Sequence, residues 1–225
     1  MPNACPPADA VSDHTVFTRF YRGLAAVGER TGLGDLRRRV LADARGRLLI
    51  IGLGPGHDLD HLPPEVTSVV ALEPSASMRA AARSRVDAVA RRGVEVDVID
   101  AVAEQIPLPN SSVDSVLVAY VLCSVADPHA AAAEIRRVLP PGGTLHVLEH
   151  IRAEPGTALR GLQRAVGPVW PRLAGGCRVD RDTAAVLESA GFDVSAITRT
   201  RLMALPPVAP TLVGVARPRS TRASN

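Results

Sequence analysis

Apolar residues along this chain fall into short runs set between longer stretches patterned like helices. Residues 48–51 (LLII) and 69–72 (VVAL) are uninterrupted runs, 94–100 (VEVDVID) alternates, and further runs lie within 112–125 (SVDSVLVAYVLCSV) and 144–151 (TLHVLEHI); all five read as strands. Between them, SASMRAAARSRVDAVARRG predicts a helix capped by Ser75 or Ser77 and ended at Gly93, and DPHAAAAEIRRVLPPGG predicts one stopped by Pro140, Pro141 and Gly142. A helix is also expected to start near Gly56. Upstream, Val16, Phe17, Phe20, Leu24 and Ala25 recur at helical spacing behind Asp13, a good N-cap, and predict two helices separated near residues 32–34. Strands alternating with helices at this spacing predict an α/β fold, a mostly parallel sheet with helices on both faces. The end breaks the rhythm: RDTAAVLESAGF is helical, and DVSAITRTRLMALPPVAPTLVGVARP reads as two strands of a terminal antiparallel hairpin.

A chain of 225 residues with 46% hydrophobic content suits one such domain, placed at 13–217, with disordered ends at 1–12 and 218–225. The net charge of +3 rests on arginine without a single lysine, and aromatics at 3% leave no stacking platform, so no nucleic-acid partner is expected. Cys5, Cys123 and Cys177 are an odd, scattered set without a C-x-x-C pair, which argues against a disulfide framework or a zinc knuckle and for a reducing compartment. The N-terminal stretch has no signal-peptide pattern, and the apolar run 116–125 falls well short of the roughly 20 residues that span a bilayer. The expectation is a cytoplasmic protein without a membrane anchor.

The candidate chemistry starts where the first strand breaks into Gly52, Gly54 and Gly56. A dinucleotide fingerprint needs its third glycine at position 57, which is His57, so the spacing provides a tight turn with a bare backbone but not the pyrophosphate motif. Glu73 ends the second strand, the place from which a carboxylate accepts hydrogen bonds from ribose hydroxyls. The pair points to a nucleoside ligand.

In sequence order, IIGLGPG, ALEPSASM, AEQIPLPNSSVDSVLVAYVLCSV and AAAEIRRVLPPGGTLHVLEH resemble the motifs of class I S-adenosylmethionine-dependent methyltransferases, over about residues 17–217. VLCSV, EIRRVLPPGGTLHVLEHIRAEPG and VWPRLAGGCRVDRDTAAVLESAGF are similar, more narrowly, to the thiol S-methyltransferase-like family. The resemblance implies a Rossmann-like class I methyltransferase fold with a seven-stranded, mostly parallel sheet and a C-terminal antiparallel hairpin. It implies S-adenosylmethionine as cofactor, S-adenosylhomocysteine as product and a small apolar thiol as acceptor, with oxygen, nitrogen or carbon acceptors as the alternative on the same fold. It would put Gly52, Gly54 and Gly56 along the methionine half, Glu73 on the ribose, and Pro74, Met78, Ala103 and Glu104 about the adenine. Tyr120 and Val121 would face the sulfonium, and an N-terminal lid over 13–45 would close through Tyr21. Two positions where this class usually carries an acid are Ile50 and Val102, and Asp58 is the candidate replacement.

Thiols need little activation, because a pKa near 8.5 leaves a few per cent thiolate at neutral pH. His146, Leu148 and His150 share one face of their strand, and His150 stands last, at the carboxyl edge, as the base or thiolate-stabilising candidate. Cys177 and Arg181 join it as catalytic candidates, and Arg178 as an acceptor contact oriented by Asp180 and Asp182. The segment 152–178 is long for a connection and reads as a cap. Leu162, Val166, Val169, Trp170 and Leu173 recur there at near-helical spacing and are expected to line the acceptor pocket, with Trp170 in contact. Cys123 reads as a core residue. His57 and His61 have metal-ligand spacing but no third partner, so no metal site is expected.

Overall fold

The computed structural model describes residues 28–202 and 206–219. Positions 1–27, including Cys5, Tyr21 and the first part of the expected lid, lie outside them, as do 203–205 and 220–225. Five parallel strands, β1 (Gly46–Ile51), β2 (Val66–Leu72), β3 (Glu95–Ile99), β4 (Ser115–Ala119) and β5 (Thr144–His150), lie in the order β3-β2-β1-β4-β5. The antiparallel β8 (Pro210–Pro218) then pairs with β5. On its other edge β8 carries β6 (Phe192–Asp193) and β7 (Ile197–Arg201) one after the other, so the eight strands of the sheet occupy seven positions. The fold is mixed α/β and Rossmann-like, with the expected C-terminal antiparallel hairpin. No helix among the described residues is long and apolar enough to cross a membrane.

The central strands read as unbroken apolar runs because both of their faces are covered. Leu49, Ile51, Val116 and Val118 pack with Ala131, Ile135 and Val138 of α3 (Pro128–Val138) and Leu187 of α6 (Thr183–Ser189). Leu48, Ile50, Leu117 and Leu148 pack on the opposite side, with Val40 and Leu41 of α1 (Gly34–Leu41) and Ala82 and Val89 of α2 (Ala76–Ala90). α2 starts at Ser75, whose hydroxyl accepts from the Met78 amide, and α3 at Asp127, whose carboxylate accepts from His129 and Ala130.

Two expected elements differ. Residues 32–34 do not separate two helices: a widened turn, Glu29–Leu33, runs directly into α1. The helix expected after Gly56 is one tight turn, His57–His61, because Pro63 and Pro64 follow before β2 begins and leave no length for more.

His146 ties α1 to the sheet from below. Fully buried, it places Nδ1 2.7 Å from the Val40 carbonyl oxygen and Nε2 3.1 Å from the Thr144 hydroxyl. Burial lowers its pKa, with the Val40 carbonyl opposing. A histidine held neutral in the fold contributes stability above its unfolded pKa and loses it as pH falls. His146→Asn, which keeps a donor for Val40, is therefore expected to lose less unfolding free energy than the parent between about pH 8 and pH 5. Denaturant titrations of both proteins at the two pH values measure this, and equal losses would contradict it.

Candidate active site at the strand ends

β1 and β4 are neighbours whose connections leave in opposite directions, so a crevice opens beyond their carboxyl ends. The three glycines at the end of β1 divide their work. Gly52 (φ 69°) has Val121 over it, and a Cβ there would come within 2.5 Å of a Val121 methyl. Gly56 (φ 82°) faces Ala82 of α2 at 3.2 Å, so it is the glycine that lets helix and loop approach. Only Gly54 (φ 55°) turns its missing side chain to open space. Beside it, Glu73 is buried, with one carboxylate oxygen 2.7 Å from the Gly54 amide and the other 2.9 Å from the Ser75 amide. Burial raises its pKa, and the two amides and Arg79 oppose the rise.

At the end of β4, Tyr120 takes φ 62°, a left-handed conformation that costs a non-glycine residue about 1–2 kcal/mol. The loop after it is clamped from both sides. Glu149, fully buried on β5, accepts from the amides of Val121, Leu122 and Cys123 at 2.7, 2.8 and 3.1 Å. Burial pushes its pKa up to about 7 against those three bonds. Arg181 donates from its two terminal nitrogens to the carbonyls of Leu122 and Val125, at 2.5 and 2.6 Å. The guanidinium expected at the acceptor is thus spent on holding the loop.

Against this loop stand two thiols and an imidazole. His150 Nδ1 lies 3.6 Å from Cys177 Sγ and 3.9 Å from Cys123 Sγ, and its ring stacks on Tyr120 with centroids 4.2 Å apart. A hydrogen bond between the thiols pulls the Cys177 pKa down to about 5, helped by His150, and the same bond and burial push Cys123 well above the ordinary value. Cys123, Cys177 and Val179 form a small apolar nucleus, with Tyr120, Trp170, Ala174 and Val208 around it. Cys123 is the core residue it was expected to be, 1% exposed, and its sulfur also faces His150.

Residues 49–147 match the family model of a methyltransferase domain. Thiol S-methyltransferase TMT1B of Rattus norvegicus is 39% identical over 85 residues, 38% of this chain and 35% of that protein. Thiol S-methyltransferase TMT1A of Homo sapiens is 28% identical over 176 residues, 78% of this chain and 72% of that protein. A solved S-adenosylmethionine-dependent methyltransferase from Thermotoga maritima, described as a possible histamine N-methyltransferase, superposes with a TM-score of 0.62 at 21% identity, over 90% of this chain and 97% of the other. The chain carries a methyltransferase domain on the class I S-adenosylmethionine-dependent methyltransferase fold.

The crevice fits the cofactor of that class. Each Glu73 oxygen takes one amide and has a second acceptor position, as a pair of ribose hydroxyls requires, and Gly54 keeps the adjoining space open. Among the methyltransferase's other expected contacts, Pro74 and Met78 flank Ser75 at the start of α2, and Ala103 is buried. Glu104 is used elsewhere: its carboxylate accepts from Ala126 and Asp127 and holds the approach to α3. Ile50 is a core residue, 1% exposed, and offers the cofactor nothing. Asp58, the candidate replacement, is buried and pairs through one carboxylate oxygen with Arg37, which also binds Glu29 at 2.8 Å.

The cap comprises α4 (Ala158–Val166) and the short α5 (Trp170–Leu173). It corrects the expected pocket lining: Leu162, Val169 and Leu173 are 39%, 54% and 67% exposed. What fastens α4 is Gln163, fully buried, which accepts from the Ala153 amide and donates to the carbonyls of Ile151 and Pro207. Trp170 does reach the cluster, packing beside Cys177. Arg178 reaches it only through its backbone, which donates to the Cys123 carbonyl at 2.7 Å; its side chain points to solvent, 3.8 Å from Asp180. Asp182 caps α6 and pairs with Arg152.

Proposed function

We propose that this chain transfers a methyl group from S-adenosylmethionine to the sulfur of a small, apolar thiol. The observation that carries the acceptor assignment is the likeness to thiol S-methyltransferases over 78% of the chain; the site that would meet such an acceptor is Cys123, His150 and Cys177, gathered beside Tyr120. The cofactor supplies an electrophilic methyl on its sulfonium, and the acceptor sulfur must meet it as a thiolate, aligned and shielded from water. Glu73 and the Gly52–Gly54 turn hold the nucleoside, with Pro74, Met78 and Ala103 at its base and Tyr120 and Val121 toward the sulfonium. His150 holds the acceptor sulfur in its charged form, with Cys177 beside it. Arg181 and Glu149 act through the loop they grip and are positioning residues. The cap over 152–178, through Trp170, closes the acceptor side.

If His150 stabilises the thiolate, its loss matters most for acceptors that ionise with difficulty. His150→Ala is expected to lower kcat/KM for an alkyl thiol about 100-fold and for an acidic aryl thiol far less. Equal losses on both thiols would overturn that role. Methylation of alcohols or amines in preference to either thiol would overturn the acceptor class.

A further inference from the structure

We infer that Cys123, His150 and Cys177 form a three-ligand zinc site whose fourth position takes the sulfur of the acceptor thiol, the second half of which rests on the thiol reading above. The sequence hid this site, because its ligands lie in three separate segments: the loop after β4, the last residue of β5 and the link from the cap to α6. Folding brings one donor atom from each to within 4.8 Å of the other two.

The distances suit a metal. With Zn–S bonds of about 2.3 Å and Zn–N bonds of about 2.0–2.1 Å, a tetrahedral ion separates sulfur from nitrogen by roughly 3.6 Å and sulfur from sulfur by roughly 3.8 Å. The observed 3.6 Å from His150 Nδ1 to Cys177 Sγ matches the first of these, and the 3.9 Å to Cys123 Sγ needs a closure of about 0.3 Å.

Each ligand is also held in place independently of any ion. The Cys123 amide is bound by Glu149 and its carbonyl by the Arg178 amide, the Cys177 amide by the Ala174 carbonyl, and the His150 ring lies against Tyr120. A set of donors fixed this way gives up little freedom on binding.

Two thiolates and one imidazole select zinc over magnesium or calcium. They also neutralise its charge, which suits a niche walled by Val179, Trp170, Ala174 and Val208. Three protein ligands rather than four mark an open site, the pattern of a catalytic zinc rather than a structural one. A thiol entering the open position gives its sulfur lone pair to the metal and its proton to solvent. It is then held as a thiolate beside Tyr120, at the strand end that faces the cofactor crevice.

Cobalt reports such a site through its spectrum, without reference to activity. Full-length protein carrying Cys5→Ser, reduced with a phosphine and stripped by a chelator, is titrated with Co²⁺. One equivalent is expected to give thiolate-to-cobalt charge-transfer absorption and the strong visible bands of a tetrahedral ion, and one equivalent of Zn²⁺ is expected to abolish them. Cys177→Ser and His150→Ala should each weaken cobalt binding by more than about 100-fold. Unchanged circular dichroism and unchanged S-adenosylhomocysteine affinity would show that these variants are folded. Adding 1-butanethiol should raise the charge-transfer intensity by roughly half, one thiolate joining two, and 1-butanol should not.

Absence of thiolate bands in the reduced protein, or bands that survive Cys177→Ser, would overturn the site. A Cys123–Cys177 disulfide in freshly purified, metal-free protein would overturn it as well. Cobalt bands indifferent to butanethiol would overturn the fourth-ligand role alone. Cobalt bands that respond to butanethiol, in a protein that methylates no thiol, would overturn the thiol reading and leave the metal in place.

Discussion

Glu73→Ala is expected to weaken binding of both S-adenosylmethionine and S-adenosylhomocysteine by about 100-fold or more. The reasoning starts from the carboxylate's position, buried between the amides of Gly54 and Ser75 with acceptor capacity left over on both oxygens. Two ribose hydroxyls bound to a charged group contribute about 1.5–3 kcal/mol each, and every 1.4 kcal/mol is tenfold in affinity. Glu73→Gln keeps one acceptor oxygen and should fall between parent and alanine variant. Because methyl and desmethyl cofactors share the ribose, both should weaken equally. Calorimetric titration measures this; an alanine variant within about threefold of the parent would remove Glu73 from the cofactor site.

The second large effect concerns folding of the loop that carries Tyr120 to Cys123. Glu149→Ala strips the acceptor from three buried amides, and an unsatisfied buried donor costs about 1–3 kcal/mol. The loss is partly offset by removing a carboxylate whose own burial is unfavourable, as its pKa near 7 shows. A net destabilisation of about 3 kcal/mol is expected, which in a domain of this size lowers Tm by about 6–12 °C. Glu149→Gln should lose roughly half as much, since its oxygen can serve two amides while its NH₂ group opposes the third. Thermal unfolding of the three proteins measures this order. A Tm for Glu149→Ala within about 2 °C of the parent would show that the loop does not depend on this clamp.

The sheet was legible because strands covered on both faces are mainly apolar, and the runs at 48–51, 69–72 and 116–119 of β1, β2 and β4 are uninterrupted. The crevice followed from the glycines and Glu73, whose chemistry is local to one strand–turn–strand unit. Features that depend on distant contacts were not legible. Helical spacing grouped Leu162, Val169 and Leu173 on one face but could not say that the face points outward, nor that a buried amide, Gln163, fixes the helix instead. Glu149 stands next to His150, yet strand alternation drew attention only to the histidine's face. An acid inside an otherwise apolar strand was the available signal, as Arg37 was at the buried positions of α1 between Leu33 and Val40. Cys123 and Cys177 carry no local motif, and only the approach of three segments makes them partners of His150.

The most direct measurement of the central claim is transfer of label from methyl-labelled S-adenosylmethionine to 1-butanethiol, with 1-butanol and 1-butylamine as matched acceptors. The account predicts labelled butyl methyl sulfide, saturable in cofactor and formed about 100-fold less efficiently by His150→Ala, with no label in the alcohol or the amine. Label in the alcohol or amine, or saturable cofactor binding with no labelled sulfide, would contradict it.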